Sequence, residues 1–380
     1  MSTLHIFNPE HDIALAANLS NFTAPHAGRQ LRHDLGYLPA IWAPSGDYVL
    51  VEDVEWAQTA FSRLMHRPFE GFVDKHALAR LAIGHVEPWG WDLALRSFLL
   101  RNGVPSEVVP SEAEIAVIRD LSHRKTAVGL LRQLGFEGTV GESVVLETPE
   151  AVALQVEHWG RVVVKSPWSS SGRGIRFIDG TLDDYQGRWL RNVLARQGSV
   201  VVEPYYNKVK DFAMEFSSDG SGSVTCLGLS LFHTSNGAYT GNILAPEEEK
   251  RDEISRYISV DLLDAVQECI CRVLGGVFQG HYQGPFGVDM MIVNAQLSNG
   301  KLSKCKFLLH PCVEINLRHT MGHVALALSP QSRSFQVMTM EYSDNYIIRR
   351  LAHREPETEH GKTDPGIVGS FSEGTDPRSP

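Results

Sequence analysis

The chain has 380 residues, 43% of them hydrophobic and 21% charged, with 35 basic against 45 acidic side chains and a net charge of −10. That length can form two or three domains with real cores, and the acidic balance argues against a general nucleic-acid or membrane-surface binder. No apolar run reaches membrane-span length and the N-terminus lacks a basic-then-apolar signal pattern; five cysteines without C-x-x-C spacing read as reduced thiols of a cytoplasmic protein.

Residues 1–118 predict an N-terminal α/β domain. Leu4–Phe7 opens it as a short strand. Helices are predicted over His26–Leu35, Val54–Met65, His76–Ile83 and Trp91–Arg101, and short strands over Leu38–Trp42 and Asp47–Val51. The polar cluster Asn8, Glu10, His11 and Asp12 follows the first strand, where open α/β sheets bind ligands. It reads equally as a turn and N-cap leading into a helix from Ile13 to Asn18. His85, Trp89 and Trp91 have no ligand spacing and read as packing.

Leu121–Leu134 has helical period, with His123-Arg124-Lys125-Thr126 in its first turns and Gly135 past its end. Arg161–Lys165 is a β run, followed by the small-residue loop Ser166–Gly174 and a second β run, Ile175–Ile178. A Walker loop would open a helix and end in Gly-Lys-Ser/Thr, so that reading fails. A Ser/Gly loop between strands still points backbone N–H groups at phosphate, with Lys165 in reach of the same anion; the alternative is a plain hairpin. Gly198–Tyr206 is a strand leaving its sheet at Glu203-Pro204. Proline has no N–H, so the exit exposes backbone groups able to read an adenine edge, with Asp211 further on for ribose hydroxyls; otherwise it is only a core strand and its exit.

Phe212–Phe216 reads as another strand. Ser230–Asn242 is rich in hydroxyls, amides and glycine, a composition common in loops that carry specificity. Its His233, Thr234, Asn236, Tyr239 and Asn242 are candidates for binding a polar acceptor, against an ordinary surface loop. Asp252–Leu274 predicts one long amphipathic packing helix. Gly284–Arg318 then places two apolar β runs around a polar turn, Asn294–Gly300. Residues i and i+2 share a strand face, so Glu314, Asn316 and Arg318 lie together, and Asp289 on the neighbouring strand completes an all-oxygen cluster suited to Mg²⁺. The same alternation describes the wet face of a sheet. Ser334–Leu351 predicts one strand and a helix, and the Glu/Pro/Gly/Ser/Thr-rich segment beyond His353 predicts a disordered tail.

In this order the segments resemble the ATP-grasp superfamily, over Asp120–Arg318. The resemblance implies an α/β and α+β chain: an N-terminal α/β domain over 1–118, then a grasp fold of two α+β subdomains, 119–197 and 198–352. By resemblance Lys125 is the first phosphate-contacting lysine. Lys165 is the second, with Ser169, Ser170, Ser171, Gly172 and Gly174 as the flap. Glu203 and Tyr205 form the adenine hinge, Asp211 contacts ribose, and Asp289, Glu314 and Asn316 hold the metal. The implied cofactors are ATP and Mg²⁺, with Mn²⁺ the alternative ion.

The implied activity joins a small carboxylate to an amine through an acyl phosphate, releasing ADP and phosphate, with Lys165 and Arg318 catalytic. A small-molecule kinase on the same scaffold and a non-catalytic nucleotide-binding regulatory module are the competing readings. The sequence departs from the family at Gly287, where many such ligases carry an arginine two residues before the metal aspartate; Arg318 is the available substitute. The first 118 residues resemble no acceptor domain, so the expected partners are small molecules of unstated identity.

Overall fold

The computed structural model describes residues 2–169, 174–235, 238–295, 306–331 and 335–352. These form a mixed α/β chain with four four-stranded sheets. The N-terminal sheet is parallel, ordered β3-β2-β1-β4, from β1 (Ser2–Ile6), β2 (Tyr48–Leu50), β3 (Phe72–Val73) and β4 (Ile83–Pro88). Helices α1 (His11–Ala17), α2 (His26–Leu35), α3 (Val54–Met65), α4 (Leu93–Arg101) and α5 (Glu112–Leu121) surround it, and α6 (Lys125–Leu131) follows. Caps explain several starts. Asp53 and Asp92 accept from Trp56 and Leu95 backbone N–H groups, and Ser111 with Glu114 closes a capping box on α5.

The second sheet is antiparallel, ordered β5-β8-β6-β7, from β5 (Val144–Leu146), β6 (Arg161–Lys165), β7 (Ile175–Asp179) and β8 (Val200–Pro204). The helices α7 (Pro149–Trp159) and α8 (Asp184–Gln197) pack on it around Val152, Val162, Val164 and Leu190. The third sheet combines β9 (Lys208–Ser218), β10 (Val224–Ser230), β13 (Gly284–Asn294) and β14 (Phe307–Asn316), in the order β10-β9-β13-β14. Alternation gives β13 two faces: Phe286, Val288, Met290 and Ile292 enter the core, while Asp289 faces the other way. Helix α10 (Val260–Phe278) covers the apolar face, and Phe278 meets Phe286 edge-on, with ring centroids 5.1 Å apart.

The fourth sheet is ordered β11-β12-β15-β16, from β11 (Phe232–Ser235), β12 (Ala238–Leu244), β15 (Gln336–Tyr342) and β16 (Tyr346–Ala352). Helices α9 (Glu247–Ser255) and α11 (Met321–Leu328) complete the described chain. Phe7, Leu35, Val49 and Trp89 share one core with Leu244, Val324, Met338 and Ile348, so apolar packing crosses the boundary expected at 118/119.

Four predicted elements are corrected. Leu38–Ile41 is a buried 3-10 turn, not a strand, because Pro39 fixes a helical φ and lacks the N–H a ladder needs. His76–Ile83 is not a helix: Asp74 accepts from the backbone of His76 and Ala77 and closes a turn, only Leu78–Arg80 is 3-10, and the chain then extends as β4. Asp252–Leu274 is two helices, because the Ser259 side chain accepts from Leu262 N–H at 3.2 Å and starts α10 afresh. The helix expected before Leu351 is strand β16, paired with β15 around a Ser-Asp-Asn turn; β-branched Ile347 and Ile348 favour that extended run. The tail beyond His353 lies outside the described residues.

Candidate active site

Strand register assembles the centre of the site. Asp289 on β13 lies opposite Glu314 on β14 and Ala213 on β9, while Gly287 lies between Asn316 and Glu215. One sheet face therefore presents Asp289 beside Glu314, with Asn316 and Glu215 on either side of the bare backbone at Gly287. Burial pushes the Asp289 carboxyl up to about 7, and the like charge of Glu314 adds to it, while a hydrogen bond from Asn316 opposes the rise. Two adjacent carboxylates with an amide oxygen alongside match the oxygen donors a hard divalent cation takes. Among the described residues no group of three or more His, Cys, Asp and Glu is placed to hold a metal ion; a cation on this face would take its third donor from Asn316.

The second sheet closes over this face. Lys165, at the end of β6, is buried and pairs with buried Glu203 on β8, Nζ to Oε2 2.6 Å, and donates to the Val313 carbonyl on β14 at 3.3 Å. Lys165 thus bridges the two sheets. Ser166 and Ser169 follow it. Gly174 closes their loop, its carbonyl accepting from Ser166 N–H at 2.8 Å, and a Cβ there would lie 2.1 Å from Ser166 Oγ. Ser170, Ser171 and Gly172 lie outside the described residues.

Arg124, just before α6, is the basic residue that reaches the carboxylates. Its Nη2 donates to Glu314 Oε1 at 2.6 Å and its Nη1 to Ser169 Oγ at 3.0 Å and to the Ser166 carbonyl. Lys125 is not brought there. Its exposed ammonium pairs with Asp120 on the outside. The reason is helical phase: a one-residue step rotates a side chain by ~100°, so only one of two adjacent basic residues can face the cleft.

Arg318 leaves β14 beside the cluster. Its Nη2 donates to Asn316 Oδ1 at 3.0 Å, and Nε and Nη2 together grip Asp12 at 2.8 to 3.2 Å. Burial disfavours the Arg318 charge, yet Asp12, Glu314 and Asp289 outweigh burial and raise its pKa. Burial likewise works to raise Asp12, and the Arg318 charge and hydrogen bonds overcome it and hold the carboxyl low. Of the Asn8–Asp12 cluster, only Asp12 joins the site. Asn8 ties the β1 end to Gly90 and Asp92, His11 packs against Gly90, and Glu10 pairs with Arg32.

The remaining predicted residues scatter. Tyr205 turns outward, with the Arg161 guanidinium 4.2 Å over its ring, and its neighbour Tyr206 is the buried one, its hydroxyl accepting from Glu142 N–H at 2.9 Å. Asp211 pairs with Lys208. Tyr239 donates to Asn242 and Asn242 to Ser230 Oγ at 2.8 Å, so this pair is committed to internal bonds; His233 and Thr234 are exposed on β11, and Asn236 lies outside the described residues.

Sequence reading missed Glu215. It is 1% exposed, and its carboxyl is pushed up to about 8 by burial first, then by Asp289, against a hydrogen bond from Thr320. Its Oε2 stands 3.2 Å from His323 Nδ1, which already accepts from Thr320 N–H, and is itself a buried atom with no hydrogen-bond partner. Its only sequence signal is an acid at an inward position of an otherwise apolar strand.

No family model matches the chain, and no curated protein matches it. Solved structures similar to it include N5-carboxyaminoimidazole synthetase from Staphylococcus aureus (TM-score 0.45, 14% identity, covering 89% of this chain and 82% of that one). Biotin carboxylase from Campylobacter jejuni, in a β-γ-ATP complex, gives TM-score 0.49 at 13% identity, covering 91% and 77%. A candidate ATP-grasp superfamily protein from Archaeoglobus fulgidus gives 0.47 at 13%, covering 93% and 100%. Among the described residues no helix is long and apolar enough to cross a membrane.

Proposed function

We propose that this chain is an ATP-dependent ligase of the ATP-grasp type, joining a small carboxylate to an amine through an acyl phosphate and releasing ADP and phosphate. The observation that carries the reading is the convergence of three basic side chains on the end of β14 beside the Asp289–Glu314 pair: Lys165 on the Val313 carbonyl, Arg124 on Glu314 and Arg318 on Asn316. Phosphoryl transfer needs positioning and charge neutralisation more than covalent help. Arg124, Lys165 and Arg318 supply fixed positive charge there. A divalent cation held by Asp289, Glu314 and Asn316 would add charge neutralisation at phosphate oxygens. Glu203 holds the Lys165 ammonium in place, and Ser166 and Ser169 face Arg124 where a phosphate would arrive.

Product analysis tests the proposal. With pooled carboxylic acids, MgATP and hydroxylamine, the expected products are ADP, phosphate and a hydroxamate. Release of AMP and pyrophosphate rules the mechanism out. ADP with a phosphorylated alcohol and no hydroxamate assigns the chain to the kinases, and no turnover with any acceptor leaves the regulatory reading.

A further inference from the structure

A cleft of about 1180 Å³ lies between the C-terminal end of β4 and the ends of β9, β13 and α11. Its walls carry Trp42, Trp89, Trp91 and Tyr282. Its charged lining is one-sided: Glu87, Glu107, Glu114 and Asp219, with no lysine or arginine among the described residues. Glu114 caps α5 and Asp219 binds its own turn, both at the exposed mouth. Glu87 is deeper, at the aromatic end.

At that end His319 is stacked on Trp42, with ring centroids 5.0 Å apart and planes at 26°, and lies 5.7 Å from Trp89. It is 8% exposed, and its Nε2 is 3.0 Å from Glu87 Oε1. Burial works against ionising Glu87, and the hydrogen bond from His319 is the first of the interactions that overcome it. An ionised Glu87 only accepts, so Nε2 is the donor. In the neutral ring the lone pair then sits on Nδ1, a buried atom with no hydrogen-bond partner. His323 differs: its Nδ1 accepts from Thr320 N–H and its Nε2 reaches the Phe216 carbonyl. This end of the cleft therefore holds a carboxylate, an unpartnered imidazole nitrogen and two indoles set against His319, with Trp42 Nε1 also lacking a partner.

We propose that this cleft binds an organic ammonium with an aromatic or broad apolar body, its N–H groups directed at Glu87 and His319 Nδ1. Indole faces attract cations, a charge-assisted bond to Glu87 fixes the head, and the acidic rim favours approach of positive charge. The inference deepens the ligase reading, because this ligand would be the amine and His319 in the cleft wall directly follows Arg318. Binding itself does not depend on that reading.

The test uses the full chain without nucleotide, with phenethylammonium and 3-phenylpropionate as probes, followed by tryptophan fluorescence and thermal shift. The expected result is saturable quenching and a raised Tm with the ammonium, and at least tenfold weaker binding of the acid. Glu87→Gln should weaken ammonium binding about tenfold, the loss of one charge-assisted contact. Equal or tighter binding of the acid, or no response to the ammonium at 10 mM, overturns the proposal. The charge comparison needs no variant, so a poorly folded Glu87→Gln protein does not shelter it. Ammonium binding without hydroxamate formation under MgATP removes the ligase and keeps the cleft; hydroxamate without ammonium binding does the reverse.

Discussion

Glu215→Gln is the substitution on which the electrostatic reasoning is most exposed. The side chain sits between β9 and α11, with its carboxyl pushed up to about 8 by burial. A glutamate in an unfolded chain ionises near 4.5. The folded protein therefore binds a proton that the unfolded chain has released. By linkage, this group's contribution to stability is intact below pH 4.5 and is lost progressively as pH rises toward 8. At 1.36 kcal/mol per pH unit, the loss at pH 7 is about 3 kcal/mol. Glutamine has nearly the same shape, stays neutral like the protonated acid and titrates nowhere. The variant should be ~3 kcal/mol more stable than wild type near pH 7, and the gap should shrink to a few tenths near pH 4.5. Urea denaturation of both proteins, compared at each pH, reads this directly. A variant no more stable at pH 7, or a gap that does not narrow on acidification, would show that Glu215 is ionised and paired with a protonated His323, and the reasoning would be refuted.

Lys165→Ala should lose the MgATP-induced rise in Tm and also destabilise the free protein by ~3–5 kcal/mol, because buried Glu203 is left unpaired. Lys165→Met with Glu203→Gln should recover most of that stability in urea without recovering the nucleotide response. Arg124→Ala should weaken MgATP binding at least tenfold by calorimetry, and Lys125→Ala by less than about twofold, since its partner is exposed Asp120; the reverse order would place the wrong residue in the cleft. Glu314→Gln and Asp289→Asn should each spare thermal stability and abolish Mg²⁺-dependent turnover. Wild-type turnover in either would return the cluster to an ordinary sheet face.

Much of the frame was legible because periodicity and caps agree. His26–Leu35 and Val54–Met65 are helices over the residues expected, and the Lys165 hairpin and the Asp289/Glu314 strand pair form as predicted. Short apolar runs were not, since a buried run such as Leu38–Ile41 has no period to separate strand from turn. The choice between Arg124 and Lys125 rests on where α6 begins, a matter of one residue that composition does not encode. Glu215 and the Glu87–His319 pair depend on contacts between elements far apart in sequence, so local pattern holds no trace of their partners. Tyr205 and Tyr206 exchanged places for a similar reason: which one turns inward depends on where β8 leaves its sheet.

Gly287 acquires an evolutionary meaning from its neighbours. A Cβ at that position would lie 2.6 Å from Glu215 Oε2 and 3.0 Å from Thr320 Cγ2. Any side chain there meets the buried acid first. Positions 215 and 287 are consequently epistatic: an arginine at 287 is blocked while Glu215 is present, and shortening Glu215 alone opens a polar void beside Asp289. A lineage moving between the two arrangements must change both positions, and the intermediate is costly in either order. Gly287→Arg should therefore fail in this background and be tolerated only together with a small residue at 215.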